Sequence, residues 1–178
     1  VYKNVMKFWF EELEPKQWWM KDDALDRWII DRFSDVHGRA TRCELYPWRA
    51  EEQGRLAEII ILDQFSRNMF RGSRLSFEFD PMALALAQEA VSVGADKLLT
   101  QIERNFLYMP YMHSESAEIH KVALDLFRNN GIEGSYEYEL KHKSIIEKFG
   151  RYPHRNAVLG RESTPEELEF LKQPGSGF

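Results

Sequence analysis

Leu56-Ala57-Glu58-Ile59-Ile60-Ile61-Leu62-Asp63-Gln64-Phe65 is the stretch that decides the fold. Its apolar residues fall on most sides of a helical wheel rather than along one stripe. The segment therefore reads as the middle of a helix from about Glu51 to Phe70 that neighbouring helices cover. Those neighbours are visible on either side. A first segment, roughly residues 3–13, stops before Pro15, and an aromatic link with Trp18 and Trp19 leads to a long helix from Asp22 to about Arg42. Its apolar stripe is Leu25, Trp28, Ile29, Phe33 and Val36.

Beyond the central helix, Asp80-Pro81 reads as an N-cap followed by proline at the first helical position, and Gly94 as the stop. Residues 95–106 place Leu98, Leu99, Ile102 and Phe106 on one side. Ser114 is expected to open a helix with the stripe Ile119, Val122, Ala123, Leu126 and Phe127, closed by Gly131. Ser135 is expected to open another, carrying Tyr138, His142, Ile145, Ile146 and Phe149 and closed by Gly150. Thr164-Pro165-Glu166-Glu167 has the pattern of a capping box and starts a short last helix, after which Pro174-Gly175-Ser176-Gly177 frays.

No segment alternates with period two, so the class is all-α. Short connections between amphipathic helices imply antiparallel hairpins, stacked as a bundle or a short solenoid. Self-similarity at a period of about 34 residues is missing, so a solenoid cannot be read from repetition. At 178 residues and 43% hydrophobic, the chain (1–178) suits one helical domain with one core. A net charge of −5 argues against a nucleic-acid or acidic-membrane partner. No apolar run approaches the roughly 20 residues that span a bilayer, and Lys3, Lys7, Glu11 and Glu12 interrupt any leader pattern, so a cytoplasmic protein is expected. The single cysteine, Cys43, fits a reducing compartment.

Several motifs together carry a resemblance. Phe8-Trp9-Phe10, Trp18-Trp19 and Gly54-Arg55-Leu56-Ala57 are followed by Leu62-Asp63-Gln64-Phe65-Ser66-Arg67-Asn68 and Glu103-Arg104-Asn105-Phe106-Leu107-Tyr108-Met109-Pro110. The set closes with His142, Phe149-Gly150-Arg151-Tyr152-Pro153-His154-Arg155-Asn156 and Pro174-Gly175-Ser176-Gly177-Phe178. Over essentially its whole length the chain resembles the bacterial family known as domain of unknown function 924. Ser66 stands where the family pattern has proline, and Gly177 where serine is common. The resemblance implies a tetratricopeptide-like helical fold and no established activity.

The polar motifs supply the candidate site. Asp63, Arg67 and Arg71 share a face if the helix continues that far, either as an anion clamp or as an internal tie between hairpins. Glu103-Arg104 leads to Tyr108-Met109-Pro110-Tyr111, where Pro110 is expected to end a helix. His113, Ser114 and Glu115 then lie at the positive end of the next one, where they would receive an anion or merely cap. His142, on an apolar face, reads as a core residue. His154, beside Arg155 and Asn156, reads as a neutral imidazole able to accept a proton. His113, Glu115, His120, His142 and His154 lack metal-ligand spacing, so no metal and no cofactor are expected.

Arg151, Arg155 and Arg161 would meet Arg67 and Arg104 if the hairpins curl. Five arginines need carboxylates or a ligand to neutralise them, and Asp63, Glu103 and Glu115 supply part of that. The aromatic start reads as core rather than as a base-stacking platform, because Glu11, Glu12, Glu14, Asp22 and Asp23 crowd it. Three functions follow. The first is a binding module for an anionic small molecule or acidic peptide, lined by Arg67, Arg104, Tyr108, His113, Arg151, His154, Arg155 and Asn156. The second is a hydrolase or transferase on a phosphate- or carboxylate-bearing substrate, with His154 or Asp63 as proton acceptor. In the third, the motifs only lock the hairpins together.

Overall fold

The computed structural model describes residues 2–177; Val1 and Phe178, the latter the end of the closing motif, lie outside the described residues. Every regular element among them is helical. The central rod begins as α3 (Glu52–Ile60), widens into a π-helical turn over Ile61–Phe65, and ends as α4 (Ser66–Met69). Ile59, Ile60, Ile61, Leu62 and Phe65 are 0% exposed, as an all-round apolar helix requires. The covers are α1 (Tyr2–Lys7), α2 (Asp23–Thr41), α5 (Asp80–Ser92) and α6 (Gln101–Met112). A second π turn, Phe8–Glu12, extends α1 and sends Phe8 and Trp9 into the core against Phe65.

The second half continues through α7 (Ala117–Asn130) and α8 (Glu133–Phe149), each packed on its predecessor. Gly131 and Gly150 end these helices at φ of 78° and 69°, a left-handed conformation that glycine takes without a Cβ clash. Two short helices, α9 (Asn156–Leu159) and α10 (Pro165–Leu171), finish the chain. Tyr152, Ile145 and Ile146 form a small core of their own, with Phe149 and Phe170 packed against it. The expected Thr164–Glu167 capping box is present in both directions, and Thr100 with Glu103 makes another at the start of α6.

Local differences from the sequence expectations have physical causes. Trp28 is 43% exposed, because α2 turns Leu25, Ile29, Phe33, Val36, His37 and Ala40 inward instead. Leu98, Ile102 and Val122 are likewise exposed. Pro110 does not end α6: it lies buried inside the last turn, which the His113 N–H closes onto the Met109 carbonyl. Ser114 opens no helix. Its hydroxyl accepts from the Ser116 N–H in the turn before α7. Helix α8 starts at Glu133, two residues before Ser135. Asp80 makes no cap bond, since guanidiniums take its carboxylate. No helix among the described residues is long and apolar enough to cross a membrane.

Candidate functional site

The widened turn at Ile61–Phe65 sets the first part of the site. A π turn inserts an extra residue into the rod, and such turns recur at functional sites. Here it holds Asp63, whose side chain is 1% exposed and whose Oδ1 lies 2.6 Å from His113 Nδ1. Asp63 Oδ2 accepts from Gln64 Nε2 at 2.6 Å. Burial alone would raise the Asp63 pKa, but the charges of His113 and Arg67 and hydrogen bonds from His113 and Gln64 outweigh it, holding the carboxyl at about 2. It is ionised at any physiological pH.

One turn later Arg67 reaches α5. Its Nη1 and Nη2 meet the two Asp80 oxygens at 2.6 and 2.9 Å, and Nη1 also donates to the Ser76 carbonyl. Asp63 lies 3.7 Å from the same guanidinium. The second claim on Asp80 comes from 75 residues further along the chain, where Arg155 Nη1 approaches Oδ2 at 3.3 Å. Arg155 Nη2 donates to the His113 carbonyl at 3.0 Å. The Phe77 ring faces both cations, with guanidinium carbons 4.9 Å (Arg67) and 4.5 Å (Arg155) from its centroid.

Arg155 is the under-compensated member. Its side chain is 8% exposed, it shares one carboxylate with a like charge, and its buried Nε has no hydrogen-bond partner among the described residues. Burial, followed by repulsion from Arg67, lowers its pKa from the usual guanidinium value. His154 sits beside it and is pushed down to about 4 by burial and by the charges of Arg155 and Arg67, so its imidazole is neutral at pH 7. Arg67, His113, His154 and Arg155, with Asp63, are thus the predicted site residues that gather around one place.

The other expected members go elsewhere. Arg151 pairs bidentately with Glu167 at 2.7 and 2.8 Å, and Asn156 bonds Ser163 and Glu167. Arg161 forks onto Glu115 at 2.7 and 2.9 Å, and Glu115 also accepts from the Tyr152 N–H. Arg104 and Tyr108 share no partner with Arg67 or Arg155: Arg104 bonds Asn130 and the Leu99 carbonyl, and Tyr108 bonds Asp96. The expected Asp63–Arg67–Arg71 clamp also divides. The helix ends at Met69, and Arg71 turns back to Asp26 at 2.6 and 2.8 Å. Glu103 is spent on its capping box and on Gln53.

Among the histidines weighed for metal, His120 is held between Glu139 and the Ser114 carbonyl, and His142 Nδ1 donates to the Tyr138 carbonyl. Burial depresses the His142 pKa to about 3, as a core histidine requires. No group of three or more metal-ligating side chains gathers among the described residues. Asp80 and Tyr152 were not anticipated as members of the site. Asp80 was hidden by the Asp-Pro helix-start pattern, which accounts for an aspartate without any distant partner. Tyr152 lies inside the motif and sends its hydroxyl to the Met112 carbonyl at 2.6 Å.

The fold is similar to that of a solved structure, a protein of unknown function from Agrobacterium tumefaciens. The two chains are 38% identical and superpose with a TM-score of 0.92 over 96% of each. No curated protein matches the chain. A family model described as a bacterial protein of unknown function, DUF924, matches residues 5–175, so the chain belongs to that family.

Proposed function

We propose that the protein is a binding module on a tetratricopeptide-like scaffold, and that the half-buried patch around Arg67, His113, His154 and Arg155 takes an anionic group. The ligand class is a phosphate or carboxylate carried by a small molecule or an acidic peptide. One observation carries the reading: two guanidiniums converge on the single Asp80 carboxylate, with Arg155 Nε buried and unmatched. An anion would supply the acceptor that Arg155 Nε lacks and offset a cation that shares its carboxylate. The net charge of −5 and the acidic aromatic start favour no nucleic-acid or membrane partner, and one exposed cysteine, Cys43, suits the bacterial cytoplasm. Isothermal titration against phosphorylated metabolites and acidic peptides is expected to give saturable binding that Arg155→Met weakens by at least about tenfold. Absence of binding across such a panel, or binding indifferent to Arg155→Met, ends the proposal.

The Asp63–His113 contact favours a second reading, a hydrolase or transferase acting on a phosphate- or carboxylate-bearing substrate. A buried carboxylate holding an imidazole through Nδ1 orients the ring and leaves Nε2 for proton transfer. At a pKa of about 2 Asp63 is too weak a base at neutral pH, so its role becomes orientation of His113. Turnover of phosphate or carboxylate esters that His113→Asn abolishes in a folded protein would promote this reading over simple binding.

A further inference from the structure

Away from that patch, Asp96, Lys97, Arg104, Tyr108, Leu126, Asn129 and Asn130 line a cleft of about 320 Å³ between the turn before α6 and the end of α7. Arg104 is unusual in this chain: it is half-buried, and among the described residues it has no carboxylate partner. It is fixed instead by neutral acceptors, Nε on Asn130 Oδ1 at 2.9 Å and Nη1 on the Leu99 carbonyl at 2.8 Å. Asn130 is itself locked by reciprocal bonds with Gln101. The guanidinium is therefore held rigidly, and among the described residues its Nη2 has no partner and exposed Lys97 beside it makes no ion pair.

A second observation points the opposite way in charge. Asp96 is 7% exposed; its Oδ2 accepts from the Tyr108 hydroxyl at 2.7 Å, while its Oδ1 is buried with no hydrogen-bond partner among the described residues. A buried carboxylate oxygen without a donor costs stability until something supplies one. The same short cleft thus offers an unspent cation and an unspent anion.

We propose that this cleft is a second binding site, for a small α-amino carboxylate. The ligand's carboxylate lies against Arg104 Nη2 and Lys97, its ammonium donates to Asp96 Oδ1, and Leu126 provides the apolar wall. Arginine suits the anionic end, because its planar fork stays charged and is already immobilised. The proposal is independent of the Arg67–Arg155 patch.

The test is amide chemical-shift titration and calorimetry with L-alanine and L-glutamate, using propionate as the probe lacking an ammonium. Saturable shifts at Lys97, Arg104 and Asn130 are expected, with propionate at least about tenfold weaker. Asp96→Asn should erase that preference, Arg104→Met should lose about tenfold or more in affinity, and Arg155→Met should change nothing here. Lys97→Ala, at an exposed position, guards against a variant that fails to fold and should weaken binding on its own. No saturable shift with either amino acid, propionate binding as tightly as alanine, or full affinity in both Arg104→Met and Lys97→Ala overturns the proposal.

Discussion

Asp80 shows how much one side chain decides. It is shared by two arginines that lie far apart in the sequence, so Asp80→Asn leaves both facing each other across Phe77. Breaking a buried pair from one side costs about 3–5 kcal/mol, which urea unfolding measures. If the patch is an anion site, phosphate should stabilise Asp80→Asn more than the parent protein; if the arginines are only a tie, it should not. His154 and His142 make a second prediction at this scale. Their folded pKa values, about 4 and about 3, lie below the ordinary 6.5, so the unfolded chain binds their protons first as pH falls. Their contribution to stability is expected to be full above pH 6.5 and to be lost from there down through about pH 4 for His154 and about pH 3 for His142. Each additional proton taken up by the unfolded state steepens the loss by about 1.4 kcal/mol per pH unit. His154→Gln and His142→Gln should each flatten that slope. The Arg155 part of the low His154 pKa was legible, since the two residues are adjacent in sequence; burial, the larger cause, was not. The Asp63–His113 contact was not, because 50 residues separate the pair.

Helix-level signals were the most readable, and the reason is locality. A capping box or a glycine stop depends on residues three or four apart, which sequence displays directly. Thr164→Ala and Thr100→Ala each remove such a box and are expected to cost about 1 kcal/mol in thermal or urea denaturation. Pro110 and Asp80 were misread by the same local logic, because burial kept one inside a helix and distant cations claimed the other. The π turns were invisible: periodicity over Ile61–Phe65 does not distinguish a wide turn from an ordinary one when all the residues are buried. Gly54 has a further element-level role. A Cβ there would run into the Trp48 carbonyl oxygen, far inside van der Waals contact, so α3 approaches the preceding turn only with glycine at that position. Gly54→Ala should therefore destabilise by about 1–3 kcal/mol, read as a lowered urea midpoint.

At the scale of the whole molecule the all-α class followed from the absence of any alternating segment and from the buried central rod. Which motifs meet did not follow, because register between helices is set by packing. The rod supplies Asp63 and Arg67, α5 supplies Asp80, the end of α6 supplies His113, and the turn before α9 supplies His154 and Arg155. Arg151 and Arg161 lie near this patch in sequence, yet their charge is spent on Glu167 and Glu115. Arg151 binds Glu167 across the entrance to α10, so Arg151→Gln is expected to loosen the last 20 or so residues before the rest. Hydrogen exchange would show this as lost protection in α9 and α10 with α3 unchanged.

Because Asp80 also takes a partner from 75 residues further along, the proposed anion patch is incomplete on a nascent polypeptide until that segment emerges. A chain still on the ribosome can bury its central rod and seat Arg67 on Asp80, yet present no second guanidinium. On the proposed reading, the capacity to hold an anion depends on the segment that carries Arg155, and a chain truncated before it is expected to keep its helices and lose binding.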